Sequence, residues 1–186
     1  MTYKMLVIGL SAGGTPLIKR LLTALPKDYS LAVTIVAHLP EGHESTLAQQ
    51  LNALTDLPVT EARDKEPIVA GHVYIAPPNY HLLIENNRTF SLSTEEKVNF
   101  SRPSIDILFE SAANVYGPRL AAIILTGANN DGAEGLRLIK EKGGLAIVQD
   151  PRSAESSFMP GAALQAVQPD FVLGLAEIGR WLAESG

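Results

Sequence analysis

Met5-Leu6-Val7-Ile8-Gly9-Leu10-Ser11-Ala12-Gly13-Gly14 leads into the helical-looking Pro16 to Leu25, and this one passage sets the fold class. An apolar run that stops at a glycine-rich turn and restarts as a helix is the opening of a βα unit. The rest of the chain repeats the rhythm. Buried parallel strands read as continuous apolar runs, and Lys4–Leu10, Leu31–Ala37, Leu120–Leu125, Leu145–Val148 and Phe171–Leu173 all fit, with Val59–Ala62 and His72–Ala76 as shorter candidates. Helices are expected over Pro16–Leu25, Ser45–Leu54, Ser104–Tyr116, Gly132–Lys142, Met159–Ala166 and Ala176–Ser185. Ser104 stands where an N-cap belongs, ahead of Ile105, Leu108, Phe109 and Ala112 at helical spacing. Between Ala76 and Pro103 the rhythm breaks: His81–Glu85 and Thr89–Ser93, separated by Asn86-Asn87-Arg88, read as a hairpin forming an antiparallel edge. The expected fold is α/β, a doubly wound, mostly parallel sheet flanked by helices with a small antiparallel hairpin, in a single domain over 1–186.

Composition agrees with that reading. A chain of 186 residues with 46% hydrophobic and 19% charged side chains is large enough and apolar enough to bury a core unaided. Zero cysteines exclude a thiol nucleophile, disulfides and thiolate metal sites. A net charge of -5 without a Lys/Arg cluster argues against nucleic acid. No signal peptide and no apolar stretch of roughly 20 residues is present, so the protein reads as cytoplasmic, without membrane insertion.

A serine at a glycine-flanked strand-to-helix turn stands clear of its backbone, and the amides that follow it can hold an oxyanion. Ser11 is therefore a candidate nucleophile, and it needs a base. Of the four histidines, His38 ends the run Leu31–Ala37 at a strand's C-terminal end, as Ser11 does, and ligands bind outside those ends in open parallel sheets. His43, His72 and His81 lack that placement. A third strand end, Leu125-Thr126-Gly127-Ala128-Asn129-Asn130-Asp131-Gly132, offers Asp131 as a carboxylate to accept the histidine's Nδ1 proton. Each residue taken singly has a plainer reading: an anion-binding or merely tight turn for Ser11, a polar strand-end residue for His38, a helix N-cap for Asp131.

The successive motifs change the balance. Gly9-Leu10-Ser11-Ala12-Gly13-Gly14, Ala37-His38-Leu39-Pro40, Gly71-His72-Val73-Tyr74-Ile75-Ala76-Pro77, Arg102-Pro103-Ser104-Ile105-Asp106, Leu125-Thr126-Gly127 with Asp131-Gly132-Ala133-Glu134-Gly135, and Phe158-Met159-Pro160 occur in an order that resembles the CheB family, the protein-glutamate methylesterases of bacterial chemotaxis. The resemblance spans nearly the whole chain. It implies hydrolysis of glutamate γ-methyl esters on chemoreceptor cytoplasmic helices, with deamidation of receptor glutamines in many members, and no metal or organic cofactor. Carried over by position, it implies Ser11 as nucleophile, His38 as base and Asp131 as orienting carboxylate. Backbone oxyanion donors would come from Ala12 and Ala128, and Arg102, Phe158 and Met159 would contact substrate.

Departures from the family pattern are specific. Ala12 stands where threonine is usual, Ala128-Asn129 where Met-Gly is usual, and Phe100-Ser101 where a more basic, histidine-containing stretch precedes Arg102. Asn129 tolerates positive φ better than most residues, so the turn is expected to be kept. Arg102 reads equally as a structural clamp, and Phe158 and Met159 as helix-start packing. Typical members also carry an N-terminal receiver domain; with Met1 at the first expected strand, none is expected within this sequence, whether one has been trimmed away or the natural protein stands alone. A binding module that docks to receptors or signalling partners without turnover is the alternative to an enzyme.

Overall fold

In the computed structural model, residues 3–38 and 46–186 are described, so Leu39-Pro40, His43 and the start of the second expected helix lie outside them. The elements in chain order are β1 (Met5–Leu10), α1 (Gly14–Leu22), β2 (Ala32–Ala37), α2 (Leu47–Asn52), β3 (Val59–Glu61), β4 (Val73–Ile75), β5 (His81–Ile84), β6 (Phe90–Ser93), α3 (Ile105–Tyr116), β7 (Leu120–Ile124), α4 (Ala133–Glu141), β8 (Leu145–Gln149), α5 (Phe158–Ala166), β9 (Phe171–Leu173) and α6 (Leu175–Ser185). Seven strands form one sheet in the order β3-β4-β2-β1-β7-β8-β9. Every pairing in it is parallel. The chain builds outward from β1 through β2 to β4 and then crosses back to add β7 on the other side. The carboxyl end of β1 therefore lies at the reversal of strand order, where open α/β sheets form their crevice.

Alternation along the strands divides the core into two layers. Leu6, Ile8 and Leu10 of β1 join Ile18, Leu21 and Leu22 of α1, Leu47 and Leu51 of α2, and Ile178 and Leu182 of α6. Met5 and Val7 face the other way, with Ile105, Leu108 and Phe109 of α3, Leu136 and Ile139 of α4, and Met159 and Ala163 of α5. Because both faces are covered, β1 and β2 are buried along their whole length, which is why they read as unbroken apolar runs.

Two expectations are corrected. The hairpin β5–β6 is antiparallel but forms a separate two-stranded sheet, not an edge of the main one. Leu82, Ile84 and Phe90 turn into the α3-side core, and the Ser111 hydroxyl of α3 accepts the Ile84 N–H at 3.0 Å, which binds the hairpin to the helix. Its left-handed turn position is taken by Arg88 (φ 63°). At the far edge, β9 is not a buried strand: Phe171 and Val172 are exposed, because the sheet ends there.

One close approach aims α3. A Cβ on Gly9 would lie 2.5 Å from Ile105 Cγ2, and one on Gly132 (φ 96°) would lie 2.7 Å from the same atom. Two glycines thus make the seat into which the first residue of α3 settles, directly over the end of β1. Gly9→Ala is expected to lower the unfolding free energy by about 1–3 kcal/mol through overpacking at this seat. Urea denaturation of the variant beside the parent chain checks it.

Candidate active site

Ser11 and His38 follow directly on paired strand ends. Leu10 is the register partner of Ala37, and the His38 N–H donates to Leu10 O at 3.0 Å. The next residue on each strand is Ser11 and His38. On its other flank Ser11 is held by its own N–H, donated to Thr126 O beyond the end of β7 at 2.9 Å. Gly13, at φ 76°, turns the chain at once into α1. Met5, Val7 and Val36 face α3, and the same alternation brings Ser11 and His38 to that side of the sheet.

Asp131 completes the contact. Its fully buried carboxylate accepts from five donors: His38 Nε2 (2.9 Å) and the Ile105 N–H (2.6 Å) on Oδ2, and the Ser104 hydroxyl (2.7 Å), the Asp106 N–H (3.1 Å) and Asn99 Nδ2 (3.2 Å) on Oδ1. Three of these donors belong to the first turn of α3. The sequence reading of Asp131 as a cap of its own helix is therefore corrected. Gly132 occupies the N-cap of α4, and Asp131 serves the exposed amides at the start of α3, where the helix dipole favours negative charge. Burial alone would raise the Asp131 pKa, but the bonds from His38, Ile105, Ser104 and Asp106 outweigh it and hold the group below the ordinary range.

The imidazole is oriented the other way round from the sequence expectation. His38 Nε2, not Nδ1, meets the carboxylate. An ionised carboxylate only accepts, so Nε2 carries the proton in the neutral ring and Nδ1 is the free base. Asn129 Nδ2 lies 3.5 Å from that Nδ1, consistent with a lone pair there. Asn129 does not take a positive φ, contrary to expectation. The turn is kept instead by its side chain, whose Oδ1 accepts the Asp131 N–H at 3.2 Å while Nδ2 also reaches Ser101 Oγ at 3.4 Å.

Sequence reasoning missed two members of this cluster. Asn99 joins two carboxylates, donating to Asp106 Oδ2 at 2.8 Å as well as to Asp131. Asp106 in turn accepts the Gly135 N–H of α4 at 2.7 Å, so each aspartate caps the other's helix. A signal was present in Ser104-Ile105-Asp106, a polar helix start; that its amides serve a distant aspartate is visible only in three dimensions. Burial, above all, and the neighbouring Asp131 charge push the Asp106 pKa up to about 6, against the lowering effect of its hydrogen bonds.

The remaining candidates divide by position. Ala12 and Ala128 are exposed on the turns after β1 and β7, and neither N–H meets a backbone carbonyl among the described residues. Thr126 ties those turns together, its hydroxyl donating to Ala12 O at 2.9 Å. Phe158 is 62% exposed at the start of α5, whereas Met159 is buried beneath Gly127 and donates its N–H to Gly127 O at 2.8 Å. Arg102 Nη1 donates to Thr94 O and Glu95 O, both at 2.8 Å, which binds it to the loop after β6. His81 is buried, accepting the Ser104 N–H on Nδ1 with Nε2 on Glu96 O, and so belongs to the scaffold. Among the described residues no cluster of acidic, histidine or cysteine side chains could hold a metal ion, and no helix is long and apolar enough to cross a membrane.

Comparison with known proteins gives a consistent result. The family model of CheB methylesterase matches residues 6–182. A Leptospira interrogans protein, named provisionally for protein-glutamate methylesterase and protein-glutamine glutaminase, is 51% identical over 180 residues that cover 97% of this chain and 93% of its own. A Geobacter metallireducens protein-glutamate methylesterase/protein-glutamine glutaminase is 41% identical over 192 residues, covering all of this chain but 53% of the longer relative. Among solved structures, the CheB methylesterase catalytic domain of Thermotoga maritima superposes with a TM-score of 0.92 at 34% identity, covering 99% of both chains.

The two aspartates give a signed pH dependence. A carboxyl raised to about 6 in the folded state favours folding while it stays protonated, and that contribution fades as pH rises from about 4 to about 6. Asp131, held low, contributes above its unfolded pKa and is lost only as pH falls through its folded value. Asp106→Asn keeps an acceptor for Gly135 and removes the first effect. Urea unfolding at pH 4.5 and pH 7 is expected to show the variant gaining on the parent chain at the higher pH.

Proposed function

The chain belongs to the CheB methylesterase family, and on that premise we propose that it hydrolyses glutamate γ-methyl esters, and deamidates glutamines, on the cytoplasmic helices of chemoreceptors. The observation that carries the reading is the 2.9 Å bond from His38 Nε2 to Asp131, one register step from Ser11. It leaves Nδ1 as the ring nitrogen able to act as base.

His38 Nδ1 takes the Ser11 proton as the hydroxyl oxygen attacks the ester carbonyl carbon, and Asp131 stabilises the imidazolium that results. The carbonyl oxygen becomes an oxyanion, to which Ala12 and Ala128 offer their N–H groups. As the tetrahedral centre collapses, the bond to the methoxy oxygen breaks and His38 returns the proton, releasing methanol and leaving a glutamyl ester on Ser11. Water then attacks with His38 again as base, Ser11 recovers its proton, and the glutamate carboxylate leaves. With glutamine the departing group is ammonia. All the protons are carried by side chains, so the cycle requires no metal or organic cofactor. The exposed Phe158 offers the substrate helix an apolar contact, while Met159 acts through the loop that it supports and Arg102 through the carbonyls that it grips.

Ser11→Ala is expected to reduce methanol release from a methylated receptor fragment at least 10³-fold with unchanged melting temperature. Labelling by a fluorophosphonate should disappear with it. Asp131→Asn is expected to lose both activity, by about 10³- to 10⁴-fold, and stability, because an amide turns an N–H₂ group toward donors that need an acceptor. Full labelling of Ser11→Ala would contradict the assignment, and a well-folded parent chain that neither labels nor releases methanol would favour a docking module.

A further inference from the structure

Phe100 is 97% exposed, the most exposed of the large apolar side chains among the described residues, and its backbone is left-handed at φ 63°. It occupies the third position of a tight turn over residues 98–101. The Ser101 N–H donates to Val98 O at 2.9 Å and the Val98 N–H to Ser101 O at 3.2 Å, and Asn99 (φ 48°) and Phe100 are the two central residues. Positive φ at both centres is the type I′ signature, for which Asn-Gly is the favoured pair. Asn99 suits its place. Phe100 stands where glycine is preferred, strained by its backbone and contributing almost no buried surface in return.

The turn is fastened to the reactive cluster on both sides of that ring. Asn99 donates to Asp131, the carboxylate that holds His38, and Ser101 receives Asn129 Nδ2, which also lies against His38. Phe100 is thus held at the rim of the site by its two neighbours, neither of which depends on the ring itself. A bulky apolar group kept out in water at a conformational cost, at a position tied to the catalytic side chains, serves an encounter with a partner surface rather than folding.

We infer that Phe100 is a specificity-determining residue, which receives an apolar side chain of the substrate helix next to the reacting glutamate. This inference rests on the hydrolase reading above. The occupant is the protein substrate, because the turn is continuous with the site where its ester must sit. Small esters, which end at the reacting group, do not reach the ring.

The test compares Phe100→Gly, Phe100→Tyr and the parent chain on two substrates: a receptor cytoplasmic fragment methylated on its glutamates, followed by methanol release, and p-nitrophenyl acetate. Phe100→Gly is expected to raise KM for the receptor fragment about tenfold, the loss of one buried aromatic contact. Its kcat and its turnover of p-nitrophenyl acetate should stay within twofold of the parent. Its melting temperature should be unchanged or raised by roughly 2–4 °C as the left-handed strain is relieved. Phe100→Tyr keeps the ring and should keep the parental KM. An unchanged KM in Phe100→Gly, or an equal loss on both substrates, would overturn the inference while leaving the hydrolase reading intact. Failure of the parent chain to release methanol while it still cleaves p-nitrophenyl acetate would overturn the substrate reading, and this inference with it.

Discussion

The structure turns on one buried carboxylate set against the start of a helix. Asp131 takes two amides and the capping hydroxyl of the first turn of α3 together with the His38 ring, so a single group settles where the helix begins and how the imidazole is turned. Burial would ordinarily favour the neutral acid. Converging donors and the positive end of the helix reverse that preference, and the charge that results is what an imidazolium formed next to it requires. The arrangement starts further back, in the sheet. Gly9 and Gly132 leave room for Ile105, which lets α3 come down over the end of β1 and present its amides there.

Much of this is legible in the chain itself. Continuous apolar runs gave the parallel strands because both faces of the sheet are covered, and the glycine turn after β1 placed Ser11 at a strand end. The same strand-end argument singles out His38, and His38 meets Asp131. The failures share a cause. Which nitrogen of His38 faces Asp131, which helix Asp131 caps, and the joining of Asp106 to Asp131 by Asn99 all depend on how separate elements cross in space, and local periodicity carries no record of that. The hairpin is legible but its place is not, for the same reason: alternation identifies a buried face, not the surface against which it is buried.

The departures from the family pattern are absorbed differently. Ala12 removes a hydroxyl but leaves its backbone N–H, and its carbonyl remains held by Thr126. Asn129 replaces a flexible backbone position with a side chain that supports the Asp131 amide and lies against His38. Phe100 is the change that does not fit folding at all, since glycine would serve its turn better. The first two preserve the geometry of the reacting groups, and the third alters what surrounds them.

The central claim is that Asp131, held ionised by the start of α3, fixes the proton of neutral His38 on Nε2 and leaves Nδ1 bare. Long-range proton–nitrogen correlation of the ¹⁵N-labelled neutral imidazole reports the two nitrogens separately. The account predicts a protonated Nε2 and an unprotonated Nδ1. A ring protonated on Nδ1, with Nε2 bare, would contradict it.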